Sequence, residues 1–113
     1  MNKTEDFIDF VFHLLDENKA SNIVVLNVRE LCSFSDYFLL ATAQSPLHLK
    51  HLKELIEIES KQRYVLHHVE GNEESGWILI DFFDIIIHLF LKEKRDFYSL
   101  EYLWGDAKRT KIS

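Results

Sequence analysis

Trp77-Ile78-Leu79-Ile80-Asp81-Phe82-Phe83-Asp84-Ile85-Ile86-Ile87-His88-Leu89-Phe90-Leu91 is the stretch whose reading decides the fold. It is apolar and β-branched, and it divides into two strands, Trp77 to Asp81 and Asp84 to Leu91, around a turn at Phe82-Phe83. Successive side chains of a strand point to opposite faces of the sheet. One face therefore carries Ile78, Ile80, Ile85, Ile87, Leu89 and Leu91, an aliphatic set that belongs in a core. The other carries Trp77, Leu79, Asp81, Asp84, Ile86, His88 and Phe90, mixing aromatic rings with charge. With the turn at Phe82-Phe83, Asp81 lies opposite Asp84, Leu79 opposite Ile86 and Trp77 opposite His88. Two-residue hairpin turns favour Gly, Asn or Asp at positive φ, and Phe82-Phe83 supplies none. A longer loop would change the cross-strand partners but not the alternation.

The mixed face admits two readings. A hidden face rarely holds two carboxylates and a histidine, because unpaired buried charge is costly. A wet face rarely holds Trp, Leu, Ile and Phe together. Aromatic anchors beside a few polar groups suit a protein-binding patch. The second reading is that the C-terminal segment of the chain folds back over this face.

Working outward, Thr4 is placed to cap a first helix, with Glu5 and Asp6 in its first turn and an apolar stripe at Phe7, Phe10, Val11, Leu14 and Leu15. Ile23 to Val28 and Asp36 to Thr42 read as buried strands. Ser45-Pro46 opens a second helix, Ser as N-cap and Pro at the first helical position, with Leu49, Leu52, Leu55 and Ile56 facing inward. Arg63 to Val69 reads as a third strand, Glu70 to Gly76 as a polar turn, and Lys92 to Tyr98 as a short charged helical piece. The order α-β-β-α-β-β-β-α predicts an α/β (α+β) sandwich, a mixed sheet of about five strands with helices packed on it.

The 113 residues fit one domain able to bury its own core. We place that domain at 1–107 and a short basic tail at 108–113. Cys32, the single cysteine, has no internal disulfide partner, which fits a reducing compartment and a packed small side chain. The acidic start is unlike a signal peptide, and no apolar run approaches a membrane span of ~20 residues. A cytoplasmic location and no membrane contact are expected. The net charge of −6 argues against phosphate-backbone binding. Residues 1–91 hold 7 basic and 15 acidic residues, and residues 92–113 hold 6 and 4. A basic protein is thus a better-matched partner than nucleic acid, to which little direct contact is expected.

Chemistry is hard to place. Asp81 and Asp84 are the one tempting carboxylate pair, yet opposed carboxylates at a hairpin tip, with Arg95 and His88 as neighbours, suit solvation, pairing or binding better than acid–base work. His48 and His51 stand at i, i+3 without a third ligand at recognisable spacing. His67 and His68 are adjacent on a strand and are expected to face opposite sides. Gly71, Gly76 and Gly105 form no phosphate loop. No catalytic residue, metal site or cofactor is expected.

From Gly76 onward, the run through Trp77, Leu79, Asp81, Phe82, Asp84, Ile85-Ile86-Ile87-His88 and Phe90, continuing with Arg95, Tyr98, Leu100-Glu101, Leu103-Trp104 and Asp106-Ala107, resembles the Iojap/ribosomal silencing factor (RsfS) family. Ser35-Asp36-Tyr37-Phe38 and Ala41-Thr42-Ala43-Gln44-Ser45 with His48 are similar to its upstream elements, so the likeness spans roughly residues 4–107. Ala43 and Phe83 stand where the family commonly has Gly. The resemblance implies a nucleotidyltransferase-like fold and a non-enzymatic role. It implies binding to the large ribosomal subunit through ribosomal protein fourteen and steric exclusion of the small subunit, lowering translation when nutrients are short, as in stationary phase. Carried over residue by residue, it implies partner-binding roles for Trp77, Asp81, Asp84, His88, Phe90, Arg95, Tyr98 and Trp104. Three alternatives accompany it. One is a role in large-subunit assembly. A second is a nucleotidyltransferase-type enzyme, which would need a Gly-Ser element where this chain has only the reversed Ser75-Gly76. The third concerns assembly state, a homodimer off the ribosome through the same sticky face.

Overall fold

The computed structural model describes residues 3–30, 35–94 and 108–112, with the backbone alone for the last of these segments. The chain runs α1 (Lys3–Glu17), β1 (Ser21–Asn27), β2 (Tyr37–Ala43), α2 (Pro46–Ser60), β3 (His68–Asn72), β4 (Trp77–Asp81), β5 (Ile85–Leu91) and β6 (Lys108–Ile112). The strands form one sheet in the order β3-β4-β5-β2-β1-β6. Only β2 and β5 are parallel; every other neighbouring pair is antiparallel. The expected mixed α+β architecture is present, with six strands where about five were expected. The additional strand is Lys108–Ile112, from the basic stretch read from sequence as a tail, which pairs along β1 and borders the sheet. Its alternation of Lys, Arg and Thr has no hydrophobic signal, and charged residues are common on edge strands, where they discourage further pairing.

Two apolar clusters lie on opposite faces of the sheet. The larger joins Phe7, Ile8, Val11, Phe12 and Leu15 of α1 and Leu49, Leu52 and Ile56 of α2 to the inward residues of the strands, among them Ile78, Ile80, Ile85, Ile87 and Leu89. The smaller holds Val24, Leu26, Val28, Phe38, Leu40, Ile86 and Phe90, with Trp77 and Leu79 packed against it, and neither α1 nor α2 contributes to it. The alternation read along 77–91 is thus preserved side chain by side chain. Among the described residues no helix is long and apolar enough to cross a membrane.

The α1 face is wider than the expected stripe. Ile8 and Phe12 are buried while Phe10 and Leu14 are only partly so, because the helix meets both the sheet and α2. Thr4 is not the cap; it lies inside the helix and its hydroxyl meets the Tyr64 hydroxyl at 3.1 Å. For α2 the expected start is present: Ser45 Oγ accepts from the His48 N–H at 3.1 Å, with Pro46 first in the helix. His48 then ties two elements together. Its Nδ1 accepts from the Gln44 N–H (2.9 Å), so its Nε2 carries the proton and donates to the Asn18 carbonyl (2.8 Å) at the end of α1.

The third strand begins later than Arg63. Residues 61–64 continue from α2 as turns, closed by Arg63 and Tyr64 N–H groups on the Ser60 carbonyl, and 65–67 are irregular. Tyr64 is spent on core packing, its ring stacked on Phe7 at 4.6 Å. The strand instead runs through the expected turn, His68 to Asn72 opposite Asp81 to Trp77, leaving Glu73 to Gly76 as the turn itself. Gly71 is what permits this: at φ +81° it opposes Ile78, and a Cβ there would collide with the Trp77 carbonyl oxygen. The expected helical piece at Lys92 to Tyr98 is helical over 92–94, and the remainder, like Cys32, lies outside the described residues.

The β4–β5 turn sits one residue later than Phe82-Phe83. Trp77 pairs with Phe90, Leu79 with His88 and Asp81 with Ile86, which corrects the expected partners. The Phe82 N–H donates to the Ile85 carbonyl at 2.9 Å, leaving Phe83 and Asp84 at the tip. Packing decides the shift. Phe82 is fully buried against Phe7 (5.0 Å, edge-on), whereas a turn centred on it would expose it. Burying a Phe contributes ~1.5–3 kcal/mol, which offsets the ~1–2 kcal/mol cost of holding a side-chain-bearing residue left-handed. Phe83 is that residue, at φ +69° and 52% exposed. Phe83→Gly should therefore raise stability by about 0.5–1 kcal/mol after the entropic penalty of glycine, seen as a higher urea midpoint at unchanged m-value. A lower midpoint would mean that the Phe83 ring contributes more than its backbone costs.

Candidate functional site

The candidate site is the outer face of β3, β4 and β5, opposite the helices. Trp77, Leu79 and Asp81 project from β4 and Ile86, His88 and Phe90 from β5, while His68 and Glu70 of β3 flank Asp81 and Leu79. The face is graded. Phe90 is fully buried and Ile86 and His88 nearly so, whereas Trp77, Leu79 and Asp81 keep part of their surface in solvent. Carried over as partner-binding residues, Trp77, Leu79's neighbour Asp81 and the more exposed Asp84 are accessible; His88 and Phe90 lie behind them. Arg95, Tyr98 and Trp104 lie outside the described residues, as does the segment expected to fold over this face.

Trp77 is positioned by its turn. Ser75 Oγ donates to the Asn72 carbonyl (2.8 Å), and the Asn72 side chain accepts from the Ser75 N–H (2.8 Å), closing the loop just before the strand. Gly76, at φ +75°, completes the reversal. The indole then stacks near Phe90 (6.4 Å, 27°) and His88 (6.5 Å, 22°). Phe38 of β2 meets His88 edge-on at 5.2 Å, and Phe90 lies parallel to it at 6.0 Å. His88 is thus an imidazole inside an aromatic cluster, and neither of its ring nitrogens has a hydrogen-bond partner. Burial pushes its pKa down from 6.5 to about 4.

The two carboxylates expected to oppose each other are separated. Asp81 Oδ1 accepts from the Phe83 N–H at 2.7 Å, and Oδ2 faces His68 Nδ1 at 3.5 Å. Asp84 turns toward the helices, where its Oδ2 accepts from the Tyr64 hydroxyl at 3.1 Å. Burial, with Asp84 nearby, raises the Tyr64 pKa. The shifted turn is the cause: it puts Asp84 at the tip rather than across from Asp81. The two carboxylates are therefore engaged by different partners and do not face each other across the hairpin.

Sequence reasoning missed the work done by the Asp84 backbone. Its carbonyl accepts from Asp36 N–H (2.9 Å), Tyr37 N–H (3.0 Å) and Ser35 Oγ (3.0 Å). The Ser35-Asp36-Tyr37-Phe38 element and the 81–84 hairpin tip are thus two halves of one junction. It also placed His67 and His68 on opposite sides. His67 precedes β3, and the two rings lie 4.7 Å apart, edge to face, with ligand atoms of both within 4.8 Å of one Asp81 carboxylate oxygen and of each other.

His88 generates a pH dependence. Its pKa is lower folded than unfolded, so the unfolded chain takes up a proton first on acidification. Stability from this group is complete above about pH 6.5 and is lost as pH falls toward 4. Between pH 7.5 and 5 the loss should be about 2 kcal/mol. His88→Leu keeps the volume and removes both unpartnered nitrogens; it should flatten that part of the profile and be no less stable at pH 7.5. Urea denaturation at the two pH values checks it, and an equally steep loss in the variant would assign the dependence to other groups.

Residues 1–113 match the family described as "Ribosomal silencing factor during starvation". The chain is 30% identical over 109 residues to the ribosomal silencing factor RsfS of Halalkalibacterium halodurans, covering 96% of this chain and 93% of that one. It is 33% identical over 108 residues to the mouse protein named mitochondrial assembly of ribosomal large subunit protein 1, covering 86% of this chain and 44% of that one. A solved protein of Chromobacterium violaceum superposes with a TM-score of 0.86 at 26% identity, over 100% of this chain and 93% of that one. A two-faced sheet carrying this hairpin and a full-length family match lead to one conclusion: the chain belongs to the ribosomal silencing factor family.

Proposed function

We propose that the protein docks on the large ribosomal subunit through ribosomal protein fourteen and blocks joining of the small subunit by occupying space, so that translation falls when nutrients are short. The observation that carries this reading is the graded outer face. A half-buried Trp77 rests on an aromatic cluster and stands beside Leu79 and Asp81, both partly open to solvent. A rigidly backed aromatic with a neighbouring carboxylate has the make-up of an interface hot spot for a basic partner. The acidic balance of the chain steers such a partner toward it. In this mechanism no bond is made or broken, no cofactor is required, and the site of action is the cytoplasm.

Roles follow from depth. Trp77 and Asp81 make the contact, and Asp84, carried over from the family as a partner-binding residue, serves it by holding the hairpin tip through its backbone carbonyl. His88 and Phe90 support the indole from behind. Arg95, Tyr98 and Trp104 are assigned by family resemblance alone. Off the ribosome, the same face is the surface through which two copies would pair.

A second reading, large-subunit assembly, is favoured by the name of the mouse relative. Both readings need the same docking surface, and they differ in whether loss of the protein leaves immature subunits or only releases translation.

The test is sedimentation of the purified protein with separated subunits. It should travel with the large subunit and not with the small one. Trp77→Ala should weaken that association by roughly 2 kcal/mol, about thirtyfold, while Asp81→Asn should reduce it mainly at low salt. Unchanged binding by a folded Trp77→Ala protein would remove the outer face from the interface, and co-migration with neither subunit would end the ribosomal reading.

A further inference from the structure

The margin of the outer face carries a cluster that docking does not use in full. His67 lies just before β3, His68 begins it, and Asp81 ends β4 opposite them. One ligand atom from each lies within 4.8 Å of the other two. We propose that His67, His68 and Asp81 form a binding site for a divalent transition-metal ion of the zinc class.

Three features separate this cluster from a chance gathering of surface polar groups. The first is the backbone. The His67 N–H donates to the Asp81 carbonyl at 2.8 Å and His68 pairs with Asp81 in the sheet, so the backbones of both histidines are tied to that of Asp81. The second is spacing. Ligands bound to zinc at ~2.0–2.1 Å in a tetrahedron stand about 3.3 Å apart, and His68 Nδ1 is already 3.5 Å from Asp81 Oδ2. The His67 ligand atom lies within 4.8 Å of both, and its ring is exposed to solvent, where it can adjust to close a site.

The third feature is the support behind each ligand. His68 turns its other nitrogen, Nε2, to Glu70 Oε1 at 3.3 Å. That arrangement is the carboxylate–histidine–metal relay, which sets the tautomer and orients the ring. Asp81 Oδ1 is occupied by the Phe83 N–H, leaving Oδ2 for a metal. The Phe83 ring lies 4.2 Å from His67 and limits where that imidazole can go. Two imidazoles and one carboxylate suit zinc and its neighbours; magnesium and calcium prefer all-oxygen sets. Three protein ligands leave one position of a tetrahedron open.

The experiment is isothermal titration of the tag-free full-length protein with zinc chloride at pH 7.5, with a magnesium chloride titration alongside. Zinc should bind saturably with a stoichiometry of one, and magnesium should not. His67→Asn and His68→Asn should each weaken zinc binding roughly tenfold or more. His13→Asn and His51→Asn, on the solvent sides of α1 and α2, should leave it unchanged. Asp81→Asn also loosens the hairpin tip, so the histidine variants, with circular dichroism spectra matching the parent, decide the matter. Absence of saturable zinc binding, or affinity retained in a folded His67→Asn/His68→Asn double variant, overturns the proposal.

Discussion

The parallel pairing of β2 with β5 holds the rest of the molecule in place. Every residue of β2 is buried, and its register with β5 runs from Tyr37–Ile85 to Ala43–Leu91. A parallel pair cannot be joined by a tight turn, so the chain must leave β2, cross over and return. The crossover here is α2, β3 and β4, and it places α2 on one face and the β3–β4 hairpin at the sheet edge. The Asp84 carbonyl pins the start of the pair by accepting from Ser35, Asp36 and Tyr37. Three donors on one oxygen fix both the hairpin tip and the entry to β2, so a slip of either strand would break all of them.

That pin gives two separated sequence elements one shared structural task, while only the second of them also carries the outer face. The Ser35–Phe38 element serves the junction. The 77–90 hairpin serves it too, through Asp84, and in addition carries the outer face. Asp81 and Asp84, so close in sequence, end up in different settings, one beside His68 and the other beneath Tyr64. The backbone of a residue can thus serve one junction while its side chain does something else nearby.

As the proposed docking surface, the outer face combines two conflicting demands. A face that meets another molecule must be accessible, yet an exposed row of large apolar groups invites non-specific association. The grading from buried Phe90 through half-buried Trp77 to the partly open Asp81 reconciles them. Most of the aromatic surface packs on itself and only the margin is offered to solvent. The unpartnered nitrogens of His88 lie within this packing, and burying them costs on the order of 1–3 kcal/mol. Ring contacts with Phe38, Trp77 and Phe90 offset part of that cost.

The amino-acid sequence by itself determined which side chains share a face, because the period of two along a strand is set by the backbone and survives any choice of partner. It likewise determined the start of α2, since Ser45 and Pro46 act within a single turn, and the mixed α+β class, since the order of elements restricts how they can layer. Tertiary structure decided the rest. The β4–β5 turn moved by one residue because burying Phe82 against Phe7 outweighs the strain at Phe83. The third strand moved past Tyr64 because that ring is needed in the core, and Gly71 alone lets the backbone pass Trp77. The strand at Lys108–Ile112 became visible only through its partner β1, for its own side chains carry no apolar pattern. How deeply each residue of the mixed face lies was equally unreadable in advance, because alternation tells the side of the sheet and depth depends on everything packed around it.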